Sequence, residues 1–158
     1  MAEGREQSAQ HGVRFGRTTV HTRMSAVGSA SRRVPYSRDP LVVQIFRCAI
    51  EVHRVLGPGL LESTYSRCLA HEFLGCGVRF REQVPVPVSY KAIRLECGYR
   101  LDFLVEDRVM LEIKSVERVI HLHRAQLLTY MRLLEIEVGF VMNFNAPRLV
   151  DGVSRVVL

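Results

Sequence analysis

One stretch near the middle of the chain, Tyr99 to Ser115, constrains the fold most strongly. Apolar residues alternate in its first half at positions 101, 103 and 105 and in its second half at positions 109, 111 and 113. This two-residue period is typical of half-buried strands. The polar residues Glu106 to Arg108 interrupt it. The stretch therefore predicts a β-hairpin that turns at those three residues.

The length of this loop fixes which residues face each other. Val105 then pairs with Val109, and every other pair is symmetric about Asp107. The pairs predicted on the apolar face are Leu101 with Ile113 and Phe103 with Leu111. The pairs predicted on the other face are Arg100 with Lys114, Asp102 with Glu112, and Leu104 with Met110. Two carboxylates are thus expected to meet across the hairpin.

Facing carboxylates repel each other. Facing Cβ atoms are about 5 Å apart, and an effective dielectric constant near 20 gives about 3 kcal/mol of repulsion. Either one carboxylate is protonated or a cation lies between Asp102 and Glu112, and hard oxygen ligands suit Mg²⁺ or Mn²⁺. Lys114 shares their face by parity. The alternative is a purely structural hairpin whose acids face solvent.

Lysine is rare in this chain, which contains 20 arginines and only Lys91 and Lys114 as lysines. Arginine is evidently used wherever a positive charge suffices. A lysine at position 114 indicates a need for a compact ammonium group, which acts as a point charge on a phosphate or gives up a proton.

Most of the net positive charge lies in the N-terminal segment. Residues 1–38 carry seven arginines and two glutamates, a net charge of +5, whereas residues 39–158 carry 15 basic and 14 acidic residues, a net charge of +1. The segment is polar and aperiodic, which predicts a disordered basic tail. A loose phosphate-binding arm, an Arg-rich transit peptide and translation from an upstream start codon, with Met24 as an internal start, remain open for it.

Other classes of protein are disfavoured by the composition. No apolar run approaches the roughly 18 residues of a membrane span. The four cysteines at positions 48, 68, 76 and 97 have no zinc-like spacing. We expect reduced, buried thiols in a cytoplasmic protein.

Residues 39–158 predict one α/β domain. Asp39 and Pro40 open a helix that ends at Gly57, and a second helix runs from Leu60 to about Gly75. Residues 80–90, with two prolines, predict a strand in an edge or bulged position before the hairpin. A helix over about 119–134 and strands near 136–142 and 153–158 follow it. The order ααβββαββ indicates a mixed sheet flanked by helices, with a parallel pair across the last helix.

Two further groups of residues have two interpretations each. Glu62 either stabilises the start of the second helix or brings a third carboxylate to the hairpin, with Tyr65 on its side of the helix. His123, Gln126 and Tyr130 share one line of the last helix. That line is either a solvent-facing shoulder or part of a site.

Three of these patterns together resemble a known family. Gly59-Leu60-Leu61-Glu62-Ser63-Thr64-Tyr65 matches the Gly-x-x-Glu-x-x-Tyr signature of the GxxExxY protein family, which is placed in the PD-(D/E)XK nuclease superfamily. Asp102 followed by Glu112-Ile113-Lys114 resembles the superfamily's Asp and Glu-x-Lys, and His123-x-x-Gln126-x-x-x-Tyr130 looks like its helix motif. The resemblance covers residues 39–158. It departs at Leu101, where the superfamily often has Pro.

The resemblance implies a restriction-endonuclease-like fold and a metal-dependent nuclease that hydrolyses phosphodiester bonds in DNA or RNA, with DNA the preferred partner. It implies Mg²⁺ (or Mn²⁺) bound by Asp102, Glu112, the Ile113 carbonyl and Glu62. Lys114 would orient or deprotonate the attacking water. The alternative is a catalytically inactive nucleic-acid or protein-binding module on the same fold.

The resemblance also implies supporting residues and an assembly. Gln126 and Tyr130 would position Lys114 or the substrate backbone. His121 and His123 are weaker candidates, because a lone helical histidine is more often a hydrogen-bonded structural residue. A homodimer is expected if the nuclease cuts both strands, since small nucleases of that kind commonly pair.

Overall fold

The computed structural model describes residues 38–96 and 98–158, so the predicted tail up to residue 37 and Cys97 lie outside the described residues. Within them, no helix has both the length and the apolar character needed to cross a membrane. The helices are α1 Pro40–Leu56, α2 Glu62–Gly75 and α3 His121–Leu134. The strands are β1 Phe80–Pro85, β2 Val88–Tyr90, β3 Ile93–Leu95, β4 Arg100–Val105, β5 Val109–Lys114, β6 Val138–Asn143 and β7 Val153–Val157, with a 3-10 helix at Leu149–Gly152.

The first helix begins and ends where its sequence predicts. The Asp39 carboxylate accepts a hydrogen bond from the Leu41 N–H at 2.9 Å, which satisfies one of the free donors of the first turn. Gly57 ends α1 in a left-handed conformation with φ 66°. Helix α2 begins at Glu62, two residues later than predicted, because the Tyr65 hydroxyl binds the main chain of Gly57 and Leu60.

Five strands form one mixed sheet in the order β1-β4-β5-β6-β7. β5 and β6 are parallel and are joined through α3, as predicted, and the other neighbours are antiparallel. The single strand predicted over residues 80–90 is wrong. β1 ends at Pro85, and β2 pairs with β3 in a separate two-stranded sheet, since the prolines at 85 and 87 cannot donate to a continuous ladder.

Helices cover both faces of the five-stranded sheet. One face packs against α1 and α2, with Phe46 edge-on to Phe140 at a centroid distance of 5.2 Å. The opposite face packs against α3, whose Leu127, Tyr130 and Met131 are buried against the sheet. Residues 111 and 113 of β5 belong to the first core, so residue 112 between them faces the α3 side.

The hairpin forms with the predicted register near its turn. Its pairs there are Phe103 with Leu111, Leu104 with Met110 and Val105 with Val109. The predicted facing of Leu101 and Ile113 is wrong, because Leu101 packs in the α3-side core whereas Ile113 packs in the α1/α2-side core. The regular alternation of β4 breaks at Asp102, whose side chain accepts the Ile113 N–H at 2.8 Å.

Burial of the thiols is confirmed for only one of the described cysteines. Cys48 on α1 is buried, Cys68 is half-buried and Cys76 is exposed. Cys76 caps the C-terminal end of α2, where the chain leaves the core.

Close contact between α3 and β6 depends on Gly139. A Cβ atom at this position would lie 2.9 Å from Met131 Sδ and 3.0 Å from Leu127 Cδ2. We expect Gly139→Ala to lower the free energy of unfolding by about 1–3 kcal/mol through overpacking. Urea denaturation measures this. The matched control is Gly75→Ala at the end of α2, where the added Cβ meets no atom within 4 Å beyond its chain neighbours and the local helix backbone. An equal loss there would contradict the overpacking explanation.

Candidate functional site

The Gly-x-x-Glu-x-x-Tyr segment fixes the start of α2. Tyr65 is fully buried, and its ring stacks on Phe144 at a centroid distance of 4.6 Å. Its hydroxyl donates to the Gly57 carbonyl at 2.7 Å and accepts from the Leu60 N–H at 3.1 Å. These contacts hold the loop before α2 against the core. They thereby fix the backbone position of Glu62, the first residue of α2.

Glu62 lies beside the C-terminal end of β5. Its Oε1 accepts the Ser115 N–H at 3.0 Å. The Ser115 hydroxyl donates in turn to the Leu60 carbonyl at 2.5 Å. These two bonds join Ser115, which follows Lys114, to the first turn of α2 and to the loop before that helix.

Asp102 is held at both carboxylate oxygens. Oδ1 accepts a hydrogen bond from Gln83 Nε2 at 3.0 Å, and Oδ2 accepts the Ile113 N–H at 2.8 Å. Burial raises the pKa of Asp102, while the Ile113 N–H, the Lys114 charge and Gln83 oppose that effect. Burial prevails, so the carboxylate is less acidic than an exposed Asp.

Glu112 is a buried carboxylate in the middle of the sheet, with 4% of its surface exposed. Its Oε1 accepts from Lys114 Nζ at 2.7 Å, whereas its Oε2 is buried without a hydrogen-bond partner. Burial and then the charge of Asp102 raise the pKa of Glu112 to about 7, against the opposing effect of Lys114. The alternative in which this acid faces solvent is therefore wrong.

Lys114 is a half-buried ammonium group. Burial acts to lower its pKa, but the charges of Glu112, Glu62 and Asp102 outweigh burial and raise the pKa above its ordinary value. The three acids and the lysine therefore act on one another electrostatically. Lys114 remains charged at neutral pH.

The α3 residues form a supporting layer beside this group. Gln126 Nε2 donates to the Tyr130 hydroxyl at 2.6 Å. Burial raises the pKa of Tyr130, and the Glu112 charge adds to the effect. His123 Nδ1 accepts the Ile120 N–H at 3.4 Å at the start of α3, while His121 is exposed. The histidine at 123 thus has the hydrogen-bonded structural role that is more common for a lone helical histidine.

An open cavity of about 760 Å³ lies between the start of α2 and the edge of the sheet. Glu62 and Asp102 line it, together with Ser63, Arg67, Glu82, Gln83 and Ser115. Glu112 and Lys114 are not among the residues that line it. Glu112 faces the α3 side of the sheet and pairs with Lys114, so the predicted residues divide between a cavity wall and a buried pair.

A model of the PD-(D/E)XK nuclease superfamily matches residues 39–156. The chain belongs to this superfamily. Its five-stranded mixed sheet flanked by helices is consistent with the restriction-endonuclease-like fold. Comparisons with curated proteins and with solved structures found no match.

Nucleases of the PD-(D/E)XK superfamily generally use divalent metals, and the donors present here fit such an ion. The Glu112 Oε2 atom is a buried oxygen ligand without a partner, and Asp102 adds a second carboxylate charge beside it. In the described part of the chain, however, no three Asp, Glu, His or Cys side chains form a group close enough to hold a metal. Each acid is instead directed to a protein donor: Ser115, Ile113 or Lys114.

Three residues that hold the acids or the strand ends beside them were not identified from the sequence. Gln83 and Ser115 bind the acids directly, as described above. Asn143 is buried, and its amide donates to the Val116 carbonyl at 2.8 Å and accepts the Val116 N–H at 3.0 Å. Asn143 could have been identified from the sequence, because it is a polar residue at the end of the apolar strand β6. The partners of Gln83 and Ser115 are distant in sequence, and no local pattern indicates them.

The raised pKa of Glu112 predicts a pH dependence of stability in metal-free protein. The folded chain binds more protons than the unfolded chain between pH 4.5, the ordinary pKa of a glutamate, and the folded-state pKa of about 7. The free energy of unfolding therefore falls as the pH rises through this window and levels off above it. Each unit of pKa difference is worth about 1.4 kcal/mol.

Urea denaturation in EDTA at pH 5 and pH 8 measures this loss. We expect Glu112→Gln to remove most of it, because the amide does not ionise. Glu51→Gln on α1, whose carboxylate pairs with Arg54 at the surface, is the matched control. Identical losses in Glu112→Gln and the unaltered chain would contradict the prediction.

Proposed function

We propose that the chain is a metal-dependent phosphodiesterase that hydrolyses DNA or RNA, with DNA the preferred substrate. The observation that carries this proposal is the buried, unpartnered Oε2 of Glu112 beside Asp102 and Lys114. An unsatisfied buried carboxylate oxygen is costly, and a cation at that oxygen would offset the cost. The superfamily assignment supports nucleic acid as the substrate.

In this proposal Asp102, Glu112, the Ile113 carbonyl and Glu62 hold Mg²⁺ or Mn²⁺. When bound, such an ion lowers the pKa of a water molecule and neutralises charge that develops on the phosphate. The residues of the chain would determine where the ion binds. The Ile113 N–H orients Asp102 and the Ser115 N–H orients Glu62, so both acids are held by main-chain groups at the end of β5.

Lys114 orients the attacking water and stabilises the charge that builds on the phosphate. Its raised pKa favours this role over removal of a proton from the water, because the ammonium form persists at neutral pH. Gln126 and Tyr130 are hydrogen-bonded to each other, and the charges of Glu112 and Lys114 act on the Tyr130 hydroxyl. In this proposal Gln126 and Tyr130 position Lys114 or the substrate backbone.

The cavity offers a place for a phosphate backbone. Arg67 is exposed, lines the cavity, and lies on α2 one turn after Ser63. Arginine is the usual partner of nucleic-acid phosphates, and its contribution weakens with salt. Membership of the GxxExxY proteins, a cytoplasmic location and a homodimer all remain predictions from the sequence.

A second candidate is a catalytically inactive nucleic-acid or protein-binding module. It is favoured by one observation: among residues 38–96 and 98–158, no group of three potential ligands is close enough to hold a metal. Metal binding and cleavage distinguish this candidate from the nuclease.

Mn²⁺ should stabilise the folded chain if the acids bind it. At a concentration one hundredfold above its dissociation constant, one site adds about 2.7 kcal/mol to the free energy of unfolding. Thermal denaturation with and without Mn²⁺ measures the shift. We expect Glu112→Gln to lose it and Glu51→Gln to retain it. No shift at millimolar Mn²⁺ in the unaltered chain would exclude the proposed metal site.

Cleavage of supercoiled plasmid DNA tests the activity directly. We expect nicking that requires Mg²⁺ or Mn²⁺ and that falls at least a hundredfold in both Glu112→Gln and Lys114→Ala, because each loses a charge of the reaction site. The same variants are assayed on single-stranded RNA. Retained nucleic-acid binding without cleavage in the unaltered chain would instead support the inactive module.

A further inference from the structure

Gln83 has a strained backbone in the middle of β1. Its φ is +50°, a left-handed conformation that residues other than glycine adopt rarely. Its neighbours pair normally with β4, Glu82 with Phe103 and Val84 with Leu101. The same register places Gln83 opposite Asp102. The strain is therefore confined to the position that faces a proposed metal ligand, and strain of this kind often accompanies function.

Two polar groups of Gln83, its main-chain carbonyl and its side-chain amide, make hydrogen bonds to residues of β4. Its carbonyl accepts a hydrogen bond from the Arg100 guanidinium at 3.2 Å. Its side-chain amide donates to Asp102 Oδ1 at 3.0 Å. The main chain of Gln83 thus departs from regular strand geometry, and its side chain contacts the Asp102 carboxylate.

The chemistry of the contact suits a metal ligand. Gln83 and the Ile113 N–H occupy one lone pair on each oxygen of Asp102 and leave the others free, since each carboxylate oxygen accepts two hydrogen bonds. A neutral amide orients the carboxylate without placing a second positive charge beside a cation. The chain has 20 arginines, yet the residue at position 83 that donates to Asp102 is an uncharged glutamine.

We propose that Gln83 is a positioning residue that sets the orientation of Asp102 for divalent-cation binding. The inference rests on the proposed function, because it requires that Asp102 bind the ion. Residues that orient a metal ligand commonly change metal affinity by about tenfold to a hundredfold when they are replaced.

Gln83→Gly separates this role from a purely structural one. Glycine adopts φ of +50° freely, so removal of the strain should raise the melting temperature measured in EDTA. Loss of the amide should weaken Mn²⁺ binding, measured by calorimetric titration, by about tenfold. Gln83→Asn tolerates positive φ but is one methylene shorter, and we expect the same direction of change in affinity.

Lys91→Gly is the matched control, because Lys91 also has a positive φ, of 52°, at the turn between β2 and β3. It should raise the melting temperature and leave Mn²⁺ affinity unchanged. Equal Mn²⁺ affinity in Gln83→Gly and the unaltered chain would overturn this inference and leave the proposed function standing. Absence of Mn²⁺ binding in the unaltered chain would overturn both.

Discussion

Burial of the Glu112 carboxylate in the sheet is the constraint on which the other polar contacts depend. Removing an ionised carboxylate from water is expensive unless it is paired and fully hydrogen-bonded. Lys114 provides one partner at 2.7 Å, and the second oxygen has none. The unpartnered oxygen of Glu112 therefore lowers the free energy of unfolding of the metal-free chain. Replacing a buried ion pair by apolar side chains of similar volume is often neutral or stabilising, so a role beyond stability accounts best for these two residues.

The polar contacts around this pair join segments that are far apart in the chain. Tyr65 fixes the loop before α2, Ser115 joins α2 to the end of β5, and Asn143 joins the end of β6 to the residue after Ser115. Each uses main-chain groups that would otherwise be unpaired where regular elements end. The ends of α2, β5 and β6 thereby meet at one place. The apolar cores on the two faces of the sheet set its position, and these hydrogen bonds set its polar geometry.

Local patterns were sufficient to predict most of the fold. The cap at Asp39, the stop at Gly57 and the register of Val105 with Val109 depend on neighbouring residues, and the two-residue period of β5 places Glu112 and Lys114 on one face. The failures have a different origin. Leu101 changes faces because the Asp102 side chain replaces a main-chain partner. The Gln83 contact requires the register between β1 and β4, and the Ser115 contact spans 53 residues. Such pairings arise from tertiary packing, which periodicity does not encode.

The charges around the cavity indicate how metal and nucleic acid would depend on each other. Several arginines of the folded part are paired with acids, as in Arg79–Glu106, Arg81–Asp107, Arg108–Asp39 and Arg148–Asp151. Around the cavity and the buried pair, the acids Glu62, Glu82, Asp102 and Glu112 outnumber Arg67 and Lys114. Without an added cation, ionised acids would repel a phosphate from this region. A divalent ion reverses that balance, so metal binding should strengthen nucleic-acid binding here and, by linkage, nucleic acid should strengthen metal binding by the same factor. A module that bound nucleic acid on another surface would show no such reciprocity.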